Sequence, residues 1–334
     1  MDKLQSIVES ASQVFLLTDE NVASEWLPDI KDVLHCKNAI EIIIKAGEKY
    51  KNLQTIQSIW TIFMKHHADR NALLINFGGG VITDLGGFAA STYKRGIRFV
   101  NYPSTLLAMV DAAIGGKTGV NFGGVKNQIG TFAVAEHVEI NNTLLLSLPH
   151  REILSGLAEM LKYGFISDPE LLQADTENYW HYIMRASEIK YEIVEKDFRE
   201  AGLRKILNFG HTLGHAIESQ SLITITPLLH GEAVALGMEA ALWLSVKQCG
   251  LKKMVLQDYE KMQLPMLLSE AEIKISESDV EIILDDLAHD KKNKGDKQQF
   301  VLIEDVGKPV WDVEVPETLV CKALDYTLSK VQKP

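Results

Sequence analysis

His211 and His215, in Asn208-Phe209-Gly210-His211-Thr212-Leu213-Gly214-His215, stand four residues apart. On a helix that spacing puts both rings on one face. His230 opens the next helical pattern, with Glu232 two residues on. Imidazole is the commonest metal ligand, and a carboxylate suits a hard or borderline cation. Glu159, in Glu159-Met160-Leu161-Lys162, lies on a stretch otherwise apolar at Leu154, Leu157, Ala158 and Leu161. A carboxylate beside such a face is costly to bury unpaired and calls for a metal or a cation. These residues point to a divalent metal site, with ordinary surface or capped histidines as the open alternative. The pair lacks the Glu that follows the first His in thermolysin-like proteases. Arg204, Asn208, His211 and His215 are spaced 4, 3 and 4, a polar stripe at the helical period, although Gly210 allows a loop-to-helix start instead.

A second chemistry-bearing region is rich in glycine. Residues 78–130 hold 12 of the 23 glycines. Gly78-Gly79-Gly80-Val81-Ile82-Thr83-Asp84 follows an apolar strand pattern and precedes a helical one. Glycines there let a phosphate approach the N–H groups of a helix N-terminus. A dinucleotide or phosphate site and a plain tight turn both fit, because the pattern is not G-x-G-x-x-G. Gly115-Gly116-Lys117-Thr118 resembles a P-loop, but Asp111 stands where that motif needs its first glycine. Lys117, with Lys126-Asn127 soon after, reads as a charge held near a smaller anionic substrate or as a solvated surface lysine.

The elements that carry these residues follow from hydrophobic period. FLLTD (15–19), AIEIII (39–44) and ALLINF (72–77) read as buried strands, and 50–65 and 81–93 as helices. Strand–helix alternation predicts a parallel sheet with crossover helices. After Pro149 the stretches 150–166, 185–201, 211–221, 230–249, 254–263 and 279–289 all read as helices. FVLI (300–303) reads as a late strand or half a hairpin. The expected architecture is an α/β domain over 1–148, which carries the glycine-rich candidate dinucleotide-binding turn, and a mostly helical domain over 149–334, which carries the candidate metal- and substrate-binding residues.

Composition narrows the function classes. The 334 residues carry 34 Lys+Arg and 45 Asp+Glu, a net charge of −11. That balance, without a block of basic residues, argues against nucleic acid and anionic membranes as partners. Cys36, Cys249 and Cys321 are widely separated and form no Cys-x-x-Cys, which fits a reducing, cytoplasmic compartment and no thiolate metal site. The start MDKLQSIVES lacks the apolar stretch of a signal peptide, and every longer apolar run is interrupted by a charge.

Taken in order, TDENV (18–22), GEKYKNL (47–53), GGGVITDLGGFAASTYKRGIRF (78–99), Pro103 to Gly130 with DAAIGGKTGVN and KNQIG, GLAEMLKYG (156–164), REAGLRKILNFGHTLGHAIE (199–218), HGEAVALGM (230–238) and HDKK (289–292) resemble the 3-dehydroquinate synthases, the sugar-phosphate cyclases of the shikimate pathway. The resemblance implies bound NAD and a divalent metal, zinc or cobalt, ligated by Glu159, His211 and His230. It implies NAD contacts at Asp19, Asn21, Glu48, Lys51, Gly79, Gly80, Asp84, Ser104, Thr105 and Lys117. It assigns substrate and catalytic roles to Arg95, Asp111, Lys117, Lys126, Asn127, Lys162, Lys190, Arg204, Asn208, His215, and Lys291 or Lys292. Thr83 stands where the family usually has glycine, and Ser104 where threonine is usual. The implied reaction converts 3-deoxy-D-arabino-heptulosonate 7-phosphate into 3-dehydroquinate and phosphate. A homodimer is expected because the family is usually dimeric. The runners-up are another sugar-phosphate cyclase and a metal-dependent NAD alcohol or glycerol dehydrogenase.

Overall fold

The computed structural model describes residues 2–221, 227–262, 282–283 and 298–331. Lys291, Lys292 and most of the helix expected over 279–289 lie outside the described residues. The chain divides into two compact units, Met1–Pro149 and His150–Pro334.

In the first unit four parallel strands run in the order β2-β1-β3-β4: β1 (Val14–Asp19), β2 (Ile40–Ile44), β3 (Leu73–Gly78) and β4 (Arg98–Pro103). The helices are α1 (Asp2–Glu9), α2 (Glu20–Val33), α3 (Leu53–Lys65) and α4 (Gly80–Thr92). Every residue of β3 is buried, as a central parallel strand covered on both faces requires. Phe15, Ile56, Phe63 and Leu74 form the core between strands and helices, with Phe15 and Phe63 meeting edge to face at 4.9 Å. Asn76 interrupts this apolar run. Its side-chain amide donates to Asn101 Oδ1 at 2.9 Å, and Asn101 donates to the Ala113 carbonyl at 2.9 Å. α4 packs so closely on Asn76 that a Cβ at Gly86 would lie 1.7 Å from Oδ1.

α1, α2, β4 and the hairpin of the glycine-rich loop were not read from the sequence. α2 contains Pro28, which reads as a breaker, but Asp19 starts the helix by accepting the Asn21 and Val22 N–H groups. β4 went unassigned. The glycine-rich loop folds as an antiparallel hairpin, β5 (Lys117–Phe122) with β6 (Val125–Phe132), joined through Gly123 and Gly124 at positive φ.

The second unit is mostly helical: α5 (His150–Ile166), α6 (Ile183–Lys196), α7 (His211–Ser221), α8 (His230–Gln248), α9 (Lys253–Met262) and α10 (Glu317–Val331). FVLI lies in a hairpin of β7 (Gln298–Asp305) with β8 (Lys308–Val315). α8 is apolar nearly all round and sits at the centre, packed by α5, α7, α9, α10 and β7. α6 stops at Lys196 rather than 201. There Asp197 turns the chain by accepting the N–H groups of Ala201, Gly202 and Arg204. No helix among the described residues is long and apolar enough to cross a membrane.

Candidate functional site

In the second unit Glu159, His211 and His230 converge. Glu159 Oε1 lies 3.4 Å from Nε2 of both His211 and His230. Glu159 is fully buried, and neither of its oxygens accepts a well-formed hydrogen bond. Ligand atoms held about 2.0–2.2 Å from a tetrahedral ion stand roughly 3.4 Å apart, so the donor set and its spacing fit a divalent cation such as zinc. His211 Nδ1 lies 3.1 Å from the Phe209 carbonyl, and His230 Nδ1 lies 3.2 Å from Glu218 Oε2. Each contact turns Nε2 toward Glu159, the way outer partners orient metal-binding imidazoles. His215, one turn after His211, has its ring 5.1 Å from that of His211 and 5.7 Å from that of His230. The three histidines could also group around one ion among themselves. His215 is the exposed member, so it is placed to serve a substrate beside the ion.

Charge in this cluster is strongly perturbed. Burial works to raise the Glu159 pKa, but the Lys162 ammonium and then His211 hold it well below the usual carboxylate value. Burial takes the His211 imidazole down, against the pull of Glu159. Burial also lowers His230, yet its polar contacts with the Glu159 and Glu218 carboxylates outweigh it and hold the pKa at about 10. Lys162, one turn from Glu159, forms an ion pair with Glu159 Oε2.

The polar stripe from Arg204 to His215 is not one helix. Leu203–Asn208 is a 3₁₀ segment, Gly210 breaks the chain at φ +78°, and α7 starts at His211. A Cβ on Gly210 would meet Met238 N at 2.8 Å, so the break is also a close approach to α8. Arg204 is buried and donates to the Phe198 carbonyl at 2.6 Å; Asn208 donates to Glu200 at 2.5 Å. Lys190 is buried on α6, which packs on α5. Glu232, read from sequence as a carboxylate for a cation, is not aimed at the histidines. Arg151 takes both its oxygens at 2.7 Å. Glu218 was missed, although 211, 215 and 218 are spaced 4 and 3 on one helix face.

In the first unit the glycine turn joins β3 to α4. Gly79 caps α4 with no side chain bonded to its first N–H groups. A Cβ on Gly79 would come within 3.1 Å of Thr105, and one on Gly80 within 3.1 Å of Ala112. Ser104 adjoins the turn, donating its N–H to the Gly78 carbonyl at 3.0 Å, while its buried hydroxyl has no partner. A side-chain-free helix start beside an unsatisfied hydroxyl fits the pyrophosphate of a dinucleotide. Thr83 is buried, and its hydroxyl donates to the Gly80 carbonyl at 3.1 Å. Buried Lys51 donates to Asp84 Oδ2 at 2.5 Å and to Asn127 Oδ1 at 2.7 Å, and Asn121 donates to Glu48 Oε1 at 2.8 Å. Asp19 is occupied as the α2 cap, with Asn21 in the first turn. Thr105 caps the turn that carries Asp111, through the Ala108 N–H at 3.2 Å. Lys117 begins β5 at the surface and Lys126 lies in β6. Because Gly116-Lys117 leads into a strand and not a helix, the P-loop reading is excluded. Arg95 lies beyond the far end of α4, about 18 Å along the helix from the glycine turn by its rise per residue.

Comparison with known proteins covers both units. The family model for the 3-dehydroquinate synthase N-terminal region matches residues 41–155, and that for the C-terminal region matches 156–293. A 3-dehydroquinate synthase from Parabacteroides distasonis is 40% identical over 338 residues, covering 97% of this chain and 94% of its own. The structure of 2-epi-5-epi-valiolone synthase from Streptomyces hygroscopicus, with NAD+ and Zn2+ bound, superposes with a TM-score of 0.82 at 26% identity, covering 96% of this chain and 92% of that one. An iron-containing alcohol dehydrogenase from Thermococcus thioreducens shares the fold at a TM-score of 0.65 and 14% identity, covering 99% and 96% of the two chains. The chain therefore belongs to the 3-dehydroquinate synthase family.

Proposed function

We propose that this enzyme converts 3-deoxy-D-arabino-heptulosonate 7-phosphate into 3-dehydroquinate and phosphate, with NAD and one divalent cation. The observation that carries the reading is the buried set Glu159, His211 and His230 with the Lys162 ammonium against it. A neutral-alcohol dehydrogenase needs a metal but has no use for buried Lys162, Lys190 and Arg204 in the same unit. A substrate bearing phosphate and carboxylate does.

When bound, the dication supplies Lewis-acid polarisation of a secondary hydroxyl, and NAD supplies reversible hydride acceptance. Glu159, His211 and His230 hold the cation. His215 takes or relays the hydroxyl proton. Within the second unit, Lys162 and Lys190 hold the departing phosphate, and Arg204 and Asn208 orient the rest of the substrate. The first unit is the NAD domain, with the glycine turn, Ser104 and Thr105 taking the pyrophosphate and the Lys51–Asp84 pair beside them. The three cysteines are unpaired thiols, which supports a cytoplasmic setting, and family membership supports a homodimer.

The conversion has no net redox change, so NAD is not consumed. Phosphate release from the seven-carbon substrate, followed together with absorbance in the NADH band, tests the reading. Phosphate should accumulate without matching NADH. Stoichiometric NADH would return the chain to the dehydrogenase reading.

A further inference from the structure

Three successive turns of α5 meet three successive residues at the start of α8. Arg151 meets Glu232, Ser155 meets Gly231, and Glu159 meets His230. Arg151, Ser155 and Glu159 are spaced four apart, so one face of α5 forms the whole row. Arg151 grips with a fork. Its Nε donates to Glu232 Oε1 at 2.7 Å, and Nη2 donates to Glu232 Oε2 at 2.7 Å and to the Pro227 carbonyl at 2.9 Å. It thereby holds the chain on both sides of His230. Glu232 is fully buried and also accepts the Leu229 N–H at 2.7 Å, which closes the first turn of α8. Ser155 Oγ accepts the Gly231 N–H at 3.0 Å, and a Cβ on Gly231 would lie 1.9 Å from the Ser155 carbonyl oxygen.

We propose that Arg151 and Glu232 are positioning residues that fix His230 for metal binding. The inference rests on the reading of Glu159, His211 and His230 as the metal set. Neither residue touches the cation. Their bidentate pair sets the pitch of the first turn of α8 against α5, and so the distance from His230 Nε2 to Glu159. A planar guanidinium suits this task because it can serve a carboxylate and a carbonyl at fixed angles, which a lysine ammonium cannot.

The test uses full-length protein stripped of metal and titrated with cobalt(II). Affinity is read by chelator competition, geometry by the visible d–d bands, and folding by thermal unfolding without metal. Glu232→Gln and Arg151→Met should each weaken cobalt binding about 10–100-fold and alter the bands, as loss of outer partners does at other metal sites. The double variant should lose little more than either single one, because the two residues act as one unit. Arg151→Lys keeps a charge opposite buried Glu232 and remains folded, so it carries the test if Arg151→Met does not. It should recover little of the affinity. Parent-like affinity and bands in Glu232→Gln or Arg151→Lys would overturn the clamp while leaving the metal set standing. Failure of the parent protein to bind cobalt would overturn the metal set and the clamp together.

Discussion

His230 serves two carboxylates at once, Glu218 through Nδ1 and Glu159 through Nε2. That is why its pKa stands near 10 although burial pulls it down. A cation entering the proposed site must displace the Nε2 proton. His211 is depressed by burial and Glu159 lies well below its ordinary value, so a neutral imidazole and a carboxylate are already in the form a cation needs. Below pH 10 the apparent metal affinity should therefore rise by about one decade per pH unit, with roughly one proton released per ion. Chelator competition between pH 7 and 9 measures the slope, and a flat profile would refute the displacement. His211→Ala removes a ligand outright and should leave protein without metal and without activity. Metal analysis beside the phosphate assay checks this.

α7 and α8 cross at glycines. A Cβ on Gly237 would sit 1.8 Å from the Gly210 carbonyl oxygen, and one on Gly214 would sit 3.0 Å from that of Ala233. This close crossing brings His211 beside His230. Gly237→Ala should destabilise the protein by about 1–3 kcal/mol through overpacking, and should weaken metal binding as α8 moves off α7. Thermal unfolding and metal titration of that variant check both effects. Elements of this kind differ in how far the sequence reveals them. β1 and β3 were legible because burial on both faces leaves a short, mostly apolar run, and α5 because its apolar residues recur at the helical period. α2 was hidden by Pro28, and the β5–β6 hairpin by glycines that read equally as a phosphate loop. At the site, His211, His215 and Glu159 were legible because polar groups stood where the helical period wanted apolar ones. The Arg151–Glu232 pair was not, since 81 residues separate the partners and only packing brings them together.

At the scale of the whole molecule, a net charge of −11 makes buried charge matter for stability as well as for binding. Glu239, in the middle of α8, is fully buried and pairs with Lys330 on α10 at 2.9 Å. Lys330 also pairs with Glu260, which bonds the Tyr326 hydroxyl. Burial raises the Glu239 pKa to about 7, and Glu260 adds to the rise, while Lys330 only partly offsets it. The folded state thus binds this proton more tightly than the unfolded chain, whose carboxylate titrates near 4.3. Between those two values the folded state carries more protons, so stability from this group is full below about pH 4.3 and is lost as pH rises through 7. The cost of the charged form above pH 7 is on the order of 3–4 kcal/mol. Glu159, with its depressed pKa, works in the opposite direction and loses its contribution only as pH falls. The two are separated by substitution at one site. The advantage of Glu239→Gln over the parent in denaturant unfolding should grow by about 2–3 kcal/mol between pH 5 and pH 8, because the amide keeps the shape and has no charge to bury. A difference that is constant between pH 5 and 8 would show that Glu239 does not titrate in that interval, and that Lys330 fully compensates its burial.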